Sequence, residues 1–491
     1  MCTVCATLIR MTDVTTIVAI AVPLVGFLLN ILALLIVPRN RKPTAGMAWL
    51  LVIFLLPYVG WILFLIIGTN KLPKSRRDTQ IAFNKTIDAR VGHFSDSIIG
   101  SVPDKYQPIA RLATSLGHLP PIHGTTTDFM TEYDDTIAAI VKDIRSANTS
   151  IYIEYFIFTL DDGTTDLFDA LKDAANRGVE IRVLYDWFAS KKYPGYAAMR
   201  QFLDDCGIRH HGMLPFKFSF KDYQRIDLRN HRKLIVIDHK VGYIGSQNLI
   251  RCNYSREDSI IYDELVVRLT GSVIAELEAL FAHDWSVESG EPLQTILTTQ
   301  LESDLTTGSS LMQVLPSGPS YRDENNLKVF TLGINRAEHE IFIANPYFVP
   351  SEPLLSAIVT AAKRGVKVRM INSEVMDQWM VGHAQRSYYE ELLRAGVEIY
   401  LYRQPILLHS KFMIIDNELG FVGSSNLDIR SFELDHELSL IVYGQKSVAR
   451  MAKVRDLYLK RTHRIRLSDW QKRKASTQLL DNIARLTSNV Q

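Results

Sequence analysis

The sequence predicts an α/β protein built by duplication and preceded by an N-terminal two-helix transmembrane hairpin. Three observations carry this: two long uncharged runs near the N-terminus, a strand, helix, strand order that occurs twice beyond residue 150, and one chemical motif present in both copies. At 491 residues, with 47% hydrophobic and 22% charged side chains, the chain can fill the cores of several domains and shows no bias toward disorder. Lys and Arg number 55 against 53 Asp and Glu, a net charge of +2, so no basic field marks nucleic acid as a partner. Cys2, Cys5, Cys206 and Cys252 are too few and scattered for a disulfide framework, and Cys2-x-x-Cys5 has no second pair to close a zinc site.

Taken in chain order, the runs come first. Ile17–Val37 spans 21 residues with Asn30 as its one polar member, and Met47–Gly68 spans 22 without a charge. At about 1.5 Å per residue each makes roughly 30 Å of helix, the thickness of a bilayer's hydrocarbon. A secretory signal would show one shorter run and a cleavage site. A helical hairpin buried in a soluble core is the alternative, but basic residues end both runs, which favours spans. Arg39, Arg41 and Lys42 lie between the runs; Arg10, Lys71, Lys74, Arg76 and Arg77 lie outside them. This excess of basic residues directs the N-terminus and everything after Lys71 to the cytoplasm. Residues 1–70 are thus read as the hairpin, with spans at about 17–37 and 47–68, and the larger part of the chain on the cytoplasmic side.

Residues 71–145 are mixed and polar, and are read as a linker with the start of the soluble part. Then the repeat begins. Ile151–Phe158 is strand-like, leads into a helix through Leu167 to Arg177, and is followed by a second strand, Gly178–Leu184. Ile341–Phe348, a helix ending at Arg364 and Gly365–Ile371 repeat that order. Phe202–Gly207 answers Leu392–Gly396, each a helix stopped by glycine. A period of roughly 170 residues fits two fused domains, 146–300 and 301–491, rather than a solenoid. Val448–Gln491 reads as helical and basic, either lying on an anionic membrane or packing on the second repeat.

The duplication becomes chemical at His231-Arg-Lys233-Leu-Ile-Val-Ile-Asp238 and His409-Ser-Lys411-Phe-Met-Ile-Ile-Asp416, both H-x-K-x-x-x-x-D. Gly245 and Gly423 follow their histidines by 14 residues, Ser246 and Ser424 by 15, and Asn248 and Asn426 by 17. In a strand, residues i and i+2 share a face, so each His projects with its Lys. Ammonium and amide donors suit phosphoryl oxygens, while an imidazole near neutrality attacks phosphorus or passes a proton. Two such histidines supply a double displacement: one forms phospho-histidine, and the other protonates the leaving alcohol and activates the next.

His231, Lys233, Asp238, His409, Lys411 and Asp416 form the candidate catalytic set, with Ser246, Asn248, Ser424 and Asn426 as phosphate-binding or orienting support. Within it, strand parity puts Asp238 and Asp416 on the opposite face, which points to hydrogen bonding rather than catalysis. Glu264 and Glu437, in the matching strings Asp263-Glu-Leu and His436-Glu-Leu, are either carboxylates that orient the histidines or ordinary surface acids. No metal or cofactor is expected, because the Lys beside each His opposes a cation where it helps a phosphate. His210, His211, His283 and His383 show no comparable arrangement, and Pro215–Phe220 borders the site or the membrane, or belongs to a core or loop.

These residues make the chain resemble the phospholipase D superfamily, and within it the bacterial cardiolipin synthases. The resemblance covers nearly the whole length. It includes Arg41-Lys-Pro43, Ala48-Trp49, Pro57-x-x-Gly60, Asn345-Pro-Tyr-Phe-Val-Pro350, Gly423-Ser-Ser-Asn-Leu-Asp-x-Arg-Ser431 and Trp470-x-x-Arg473. Asn345 stands where the family has Thr, and Asp435-His436 where it has an Asn-aromatic pair. The resemblance implies two α/β/α sandwich domains sharing one active site and a metal-independent transfer from one phosphatidylglycerol to a second, giving cardiolipin and glycerol. It implies that each His takes its acid from the other half, Glu437 for His231 and Glu264 for His409, with His231 as nucleophile and His409 as acid and base. A hydrolytic phospholipase D, or a transferase using other lipids, would share these residues. Against a nuclease stand the +2 charge and the hairpin, and against a decayed scaffold stand two intact motifs. The sequence leaves self-association open.

Overall fold

The computed structural model describes residues 2–39, 41–69, 71–216, 223–255, 260–293 and 307–488, with 2–15 and 92–94 described by backbone alone. The side chains of Cys2 and Cys5, residues 217–220 of the aromatic run and the expected boundary at 300/301 lie outside the described residues. The chain divides into two units, Met1–Lys71 and Leu72–Gln491.

In the first unit, helix α1 (Cys2–Ile36) carries the first apolar run, and Thr16–Ile36 is long and apolar enough to cross a membrane. The second run departs from the expected single span. It is broken into α2 (Pro43–Leu55) and α3 (Pro57–Ile67), of 13 and 11 residues. The break falls at Leu56, whose φ of −137° and ψ of 73° leave the helical region. Pro57 causes it, since its ring crowds the preceding residue out of the α conformation and it has no N–H to continue the ladder. Gly60 lets α3 fold back on α2, because a Cβ there would lie 2.6 Å from Ile53 Cα. Trp61 Nε1 ties α3 to α1 by donating to the Leu29 carbonyl at 3.0 Å.

The second unit is organised by one continuous sheet. In chain order its first half supplies β1 (Ile122–Met130), β2 (Ser150–Tyr155), β3 (Glu180–Asp186), β4 (Arg209–Met213), β5 (Lys233–Ile237), β6 (Val241–Gly245) and β7 (Val266–Thr270). The second half supplies β8 (Ser310–Ser317), β9 (Glu340–Ala344), β10 (Lys367–Ser373), β11 (Glu398–Tyr402), β12 (Phe412–Ile415), β13 (Leu419–Gly423) and β14 (Asp435–Tyr443), with β15 (Thr462–Arg464) added at its edge. Across the sheet the order is β4-β3-β2-β5-β6-β7-β1-β8-β14-β13-β12-β9-β10-β11-β15. The antiparallel pair β1 and β8, with Ile122 opposite Met312, is the seam, and outward from it the two halves run in the same order. The seam strand β1 comes from the segment read as a linker, which also folds as helices Lys74–Gly100, Gln107–Gly117 and Tyr133–Ser146.

Alternation along the strands builds the layers. On β5, Leu234 and Val236 point into a core shared by both halves with Val273, Leu277 and Phe281 of helix Val273–Ser289 and with Val448 and Met451 of helix Gln445–Lys460. Ile235 and Ile237 point the other way, toward Leu167 and Leu171 of helix Thr165–Asn176. Sheet faces covered by helices on both sides make an α/β/α sandwich, as buried parallel strands require. The basic C-terminal region is helical and packed: His383 on helix Trp379–Ala395 bonds Asp481 on helix Ala475–Leu486 at 2.6 Å.

Candidate active site

The short segments just before each motif histidine exchange between halves. Arg229–Asn230 pairs in parallel with Asp435–His436, and Ile406–Leu408 pairs in parallel with Ile261–Asp263. One further hydrogen bond continues each ladder: His231 N–H donates to the His436 carbonyl at 2.8 Å, and His409 N–H to the Asp263 carbonyl at 2.7 Å. Each histidine is thereby docked beside the residue that follows its partner segment, and that residue is a glutamate.

His231 Nδ1 lies 2.9 Å from Glu437 Oε1, and His409 Nδ1 lies 2.7 Å from Glu264 Oε1. All four residues are buried. A carboxylate on Nδ1 fixes the tautomer and leaves Nε2 for the reacting atom. Lys233 begins strand β5 and Lys411 immediately precedes β12: Lys233 Nζ donates to the His231 carbonyl at 2.8 Å, and Lys411 Nζ to that of His409. Each ammonium keeps further N–H groups for an anion.

Gly245 and Gly423 bring the next loop close, since a Cβ at either would lie 2.2 or 2.1 Å from the carbonyl of Leu265 or Leu438. Ser246 Oγ and Ser424 Oγ accept from the N–H groups of Leu265 and Leu438 at 2.9 and 3.0 Å, and Ser424 Oγ also donates to Glu437 Oε2. The serines thus orient the acid-bearing strands. Asn248 Nδ2 donates to Tyr254 OH at 3.0 Å, while the buried Oδ1 atoms of Asn248 and Asn426 have no partner among the described residues.

The motif aspartates lie apart from the histidines. Asp238 with His239, and Asp416 with Asn417, form two-residue turns with φ between 51° and 58°, the left-handed geometry that closes a tight hairpin. The Asp238 carboxylate accepts from the N–H groups of Asn148, Thr149 and Ser150 at 2.7–3.1 Å. Asp416 accepts from those of Glu338, His339 and Glu340 at 2.7–2.9 Å and from Lys105 Nζ at 2.6 Å. Both carboxylates are occupied at the far end of the hairpin from the histidines.

The four central groups feel one another. Burial, then Lys233, Lys411 and His409, push the His231 imidazole well below its ordinary value. Burial also lowers His409, but Glu264 pulls it back up. Burial brings Lys233 down to about 8 and Lys411 to about 7. The glutamates part company. Burial pushes Glu437 up to about 7, whereas at Glu264 the charge and hydrogen bond of His409, with Lys411, overcome burial and hold it at about 2.

Several neighbours carry no motif signal. Phe156 packs edge-on against His231 at 4.8 Å, and Tyr262 and Tyr347 flank His409 at 5.6 and 6.0 Å. Both tyrosines donate to the exposed Asp377, at 3.1 and 2.9 Å. Arg430 contacts Asp435 Oδ2 at 3.2 Å, two residues before Glu437. Tyr262 stands next to a string already singled out, and Phe156, Tyr347, Arg430 and Asp435 stand inside such strings; Asp377 lies in an unremarkable loop. The other histidines lie elsewhere: His210 faces Asp204 at 3.0 Å and His283 packs on Phe83. Among the described residues no cluster of His, Cys, Asp and Glu is arranged to hold a metal.

The family profile described as cardiolipin synthase, phospholipase D-like domain matches residues 140–285 and 332–456, and one described as phospholipase D-nuclease N-terminal matches 28–68. A cardiolipin synthase of Alkalihalophilus pseudofirmus is 33% identical over 92% of this chain and 90% of its own. The chain belongs to the cardiolipin synthase family. Cardiolipin synthase A of Yersinia pseudotuberculosis is likewise 32% identical over 89% of this chain and 91% of its own. Among solved structures, the phosphatidylserine synthase of Haemophilus influenzae shares the fold, with a TM-score of 0.60 and 16% identity over 77% of this chain and 98% of its own. Family membership thus spans both motifs and the N-terminal unit.

Proposed function

We propose that this chain makes cardiolipin, transferring a phosphatidyl group from one phosphatidylglycerol to the terminal hydroxyl of another and releasing glycerol. The observation that carries the reading is the crossed pair, His231 on Glu437 at 2.9 Å and His409 on Glu264 at 2.7 Å, with each motif lysine bonded to the carbonyl of its own histidine. His231 Nε2 attacks phosphorus, the bond from phosphorus to the glycerol oxygen breaks, and that oxygen takes a proton from His409. The acceptor hydroxyl then returns its proton to His409 while its oxygen bonds phosphorus and the bond to His231 breaks. Lys233 and Lys411 face the phosphoryl oxygens and offset the charge that develops.

The direction of the assignment is supported by the acids. A glutamate held at about 2 stays ionised and suits an imidazolium at His409, and the stronger depression of His231 suits a neutral nucleophile. For the membrane unit the reading is two crossings, about 17–37 and 47–68, with the catalytic unit on the cytoplasmic side; the charge excess outside the runs supports it. For the soluble part it is two repeats, 146–300 and 301–491, preceded by the segment 71–145.

The test is lipid mass spectrometry on the purified full chain in phosphatidylglycerol vesicles with chelator present. Cardiolipin with equimolar glycerol is expected. Phosphatidic acid as the sole product would leave the site and discard the acceptor; no product until another lipid or a divalent metal is added would discard the substrate or the metal-free mechanism.

A further inference from the structure

Arg430 stands outside both motifs, and the nearest first-half match, Arg251, comes one residue sooner after its histidine. Arg430 follows His409 by 21 residues, where the first half, counted from His231, has Cys252. The turn of helix Ile429–Glu433 that presents it is capped by Asp428, whose carboxylate accepts from the Ser431 N–H at 2.7 Å. Its guanidinium is gripped from two sides: Nε faces Asp435 Oδ2 at 3.2 Å, and Nη2 donates to the Asp227 carbonyl at 2.8 Å. Nη1 has no hydrogen-bond partner among the described residues.

The location follows from strand geometry. Asp435 and Glu437 are i and i+2 on β14, hence on one face, and Glu437 is the acid that holds His231. The backbone of Asp435 also pairs with Arg229, two residues before His231. Arg430 therefore borders the His231 side, and its charge acts on that imidazole. It differs from the two lysines in access. Lys233 and Lys411 are 1% and 3% exposed, whereas the Arg430 side chain is 33% exposed. Asp435, then Asp428 and Asp227, stand around the guanidinium and raise it, so it stays charged.

A phosphatidyl-histidine is attacked by whichever hydroxyl reaches it, and water is always present. The acceptor in the reaction proposed above differs from water in one recognisable respect: its attacking hydroxyl is joined through glycerol to a second phosphodiester. The two lysines are committed to the phosphoryl group in transfer. We propose that Arg430 binds the acceptor lipid's own phosphodiester and so selects lipid over water at the second step. This rests on the reading of the chain as a phosphatidyl transferase. The guanidinium fork suits a phosphodiester through paired N–H donors, and a phosphate-free alcohol gains nothing from it. No bond to phosphorus changes at Arg430. It is a specificity residue, acting on where the acceptor sits.

The test uses the full chain in phosphatidylglycerol vesicles, with and without added ethanol as a phosphate-free acceptor. Cardiolipin, phosphatidylethanol, phosphatidic acid and glycerol are measured together for the wild type, Arg430→Gln and Arg430→Lys. For Arg430→Gln, cardiolipin is expected to fall about 10- to 100-fold, the scale of a lost charged hydrogen bond, while phosphatidylethanol changes by less than about threefold. Arg430→Lys should fall between. Parallel loss of cardiolipin and phosphatidylethanol in both variants would overturn the proposal, as would an unchanged ratio of cardiolipin to phosphatidic acid. A wild type that makes phosphatidylethanol but no cardiolipin would instead sink the parent reading, whatever the variants do.

Discussion

Across the seam, Glu264 faces His409 and is held at about 2, while Glu437 faces His231 and rises to about 7. The backbones around them match: the same seven strands in the same order, the same exchanged segments, the same glycine approach and the same serine tie. What differs is the next ring of side chains. Around His409 stand Tyr262, Tyr347 and Asp377; around His231 stand Phe156, Asp435 and Arg430. Beneath His231, buried Arg232 donates to the Glu437 carbonyl and pairs with Asp284, where the other half has Ser410 on Tyr458 OH at 2.8 Å. A duplicated backbone has kept its geometry while burial and charge have separated two equal imidazoles.

The sharpest way to break this comparison is to remove each imidazole. His231→Ala and His409→Ala should each cost about 10⁴-fold or more in cardiolipin formation, but only His409→Ala should still accumulate a phosphatidyl-enzyme, detectable by intact-protein mass spectrometry. The reverse pattern would exchange the roles of the halves. Next in size, Glu264→Gln should lower kcat about 100-fold and Glu437→Gln about tenfold, because Gln resembles a carboxyl that is already half protonated near neutrality. Equal losses would abolish the electrostatic difference. The lysines sharpen it through pH. Lys411 and Lys233 are cationic below about 7 and 8, so kcat/KM should fall as pH rises through that range, up to about tenfold per unit. Lys411→Arg, whose charge does not titrate there, should move that alkaline limb upward even with a lower maximum. Smallest on activity are the turn residues. Asp238→Asn and Asp416→Asn should each lower unfolding free energy by about 1–3 kcal/mol in denaturant titration, with kcat of the folded protein within about twofold.

Much of this was legible in the chain because strand parity and repeat spacing are local. The alternation of Leu234, Ile235, Val236 and Ile237 gives a strand buried on both faces, and the helix-ending Gly207 and Gly396 take the positive φ that such stops need. The parity of Asp238 and Asp416 already pointed away from the site, and their turns supply the reason. The crossing of Glu437 to His231 was different: no spacing within one half reveals a partner 206 residues away, and only the resemblance implied it. The seam strand Ile122–Met130 escaped because it sits in polar sequence, with His123, Thr125, Thr126, Thr127 and Asp128. The break inside Met47–Gly68 was not legible because hydropathy is blind to the conformational restriction that Pro57 places on Leu56.

The exchanged segments before His231 and His409 carry one more consequence. Neither motif histidine is paired with an acid from its own half, so a lone half would have to find a second copy, and identical copies would be bound to identical chemistry. Joining them in one chain replaces an encounter that depends on concentration with one that does not. It also allows each copy to vary without its twin, and that freedom is what the proposed donor and acceptor, of the same molecular kind, would require of the site that must tell them apart.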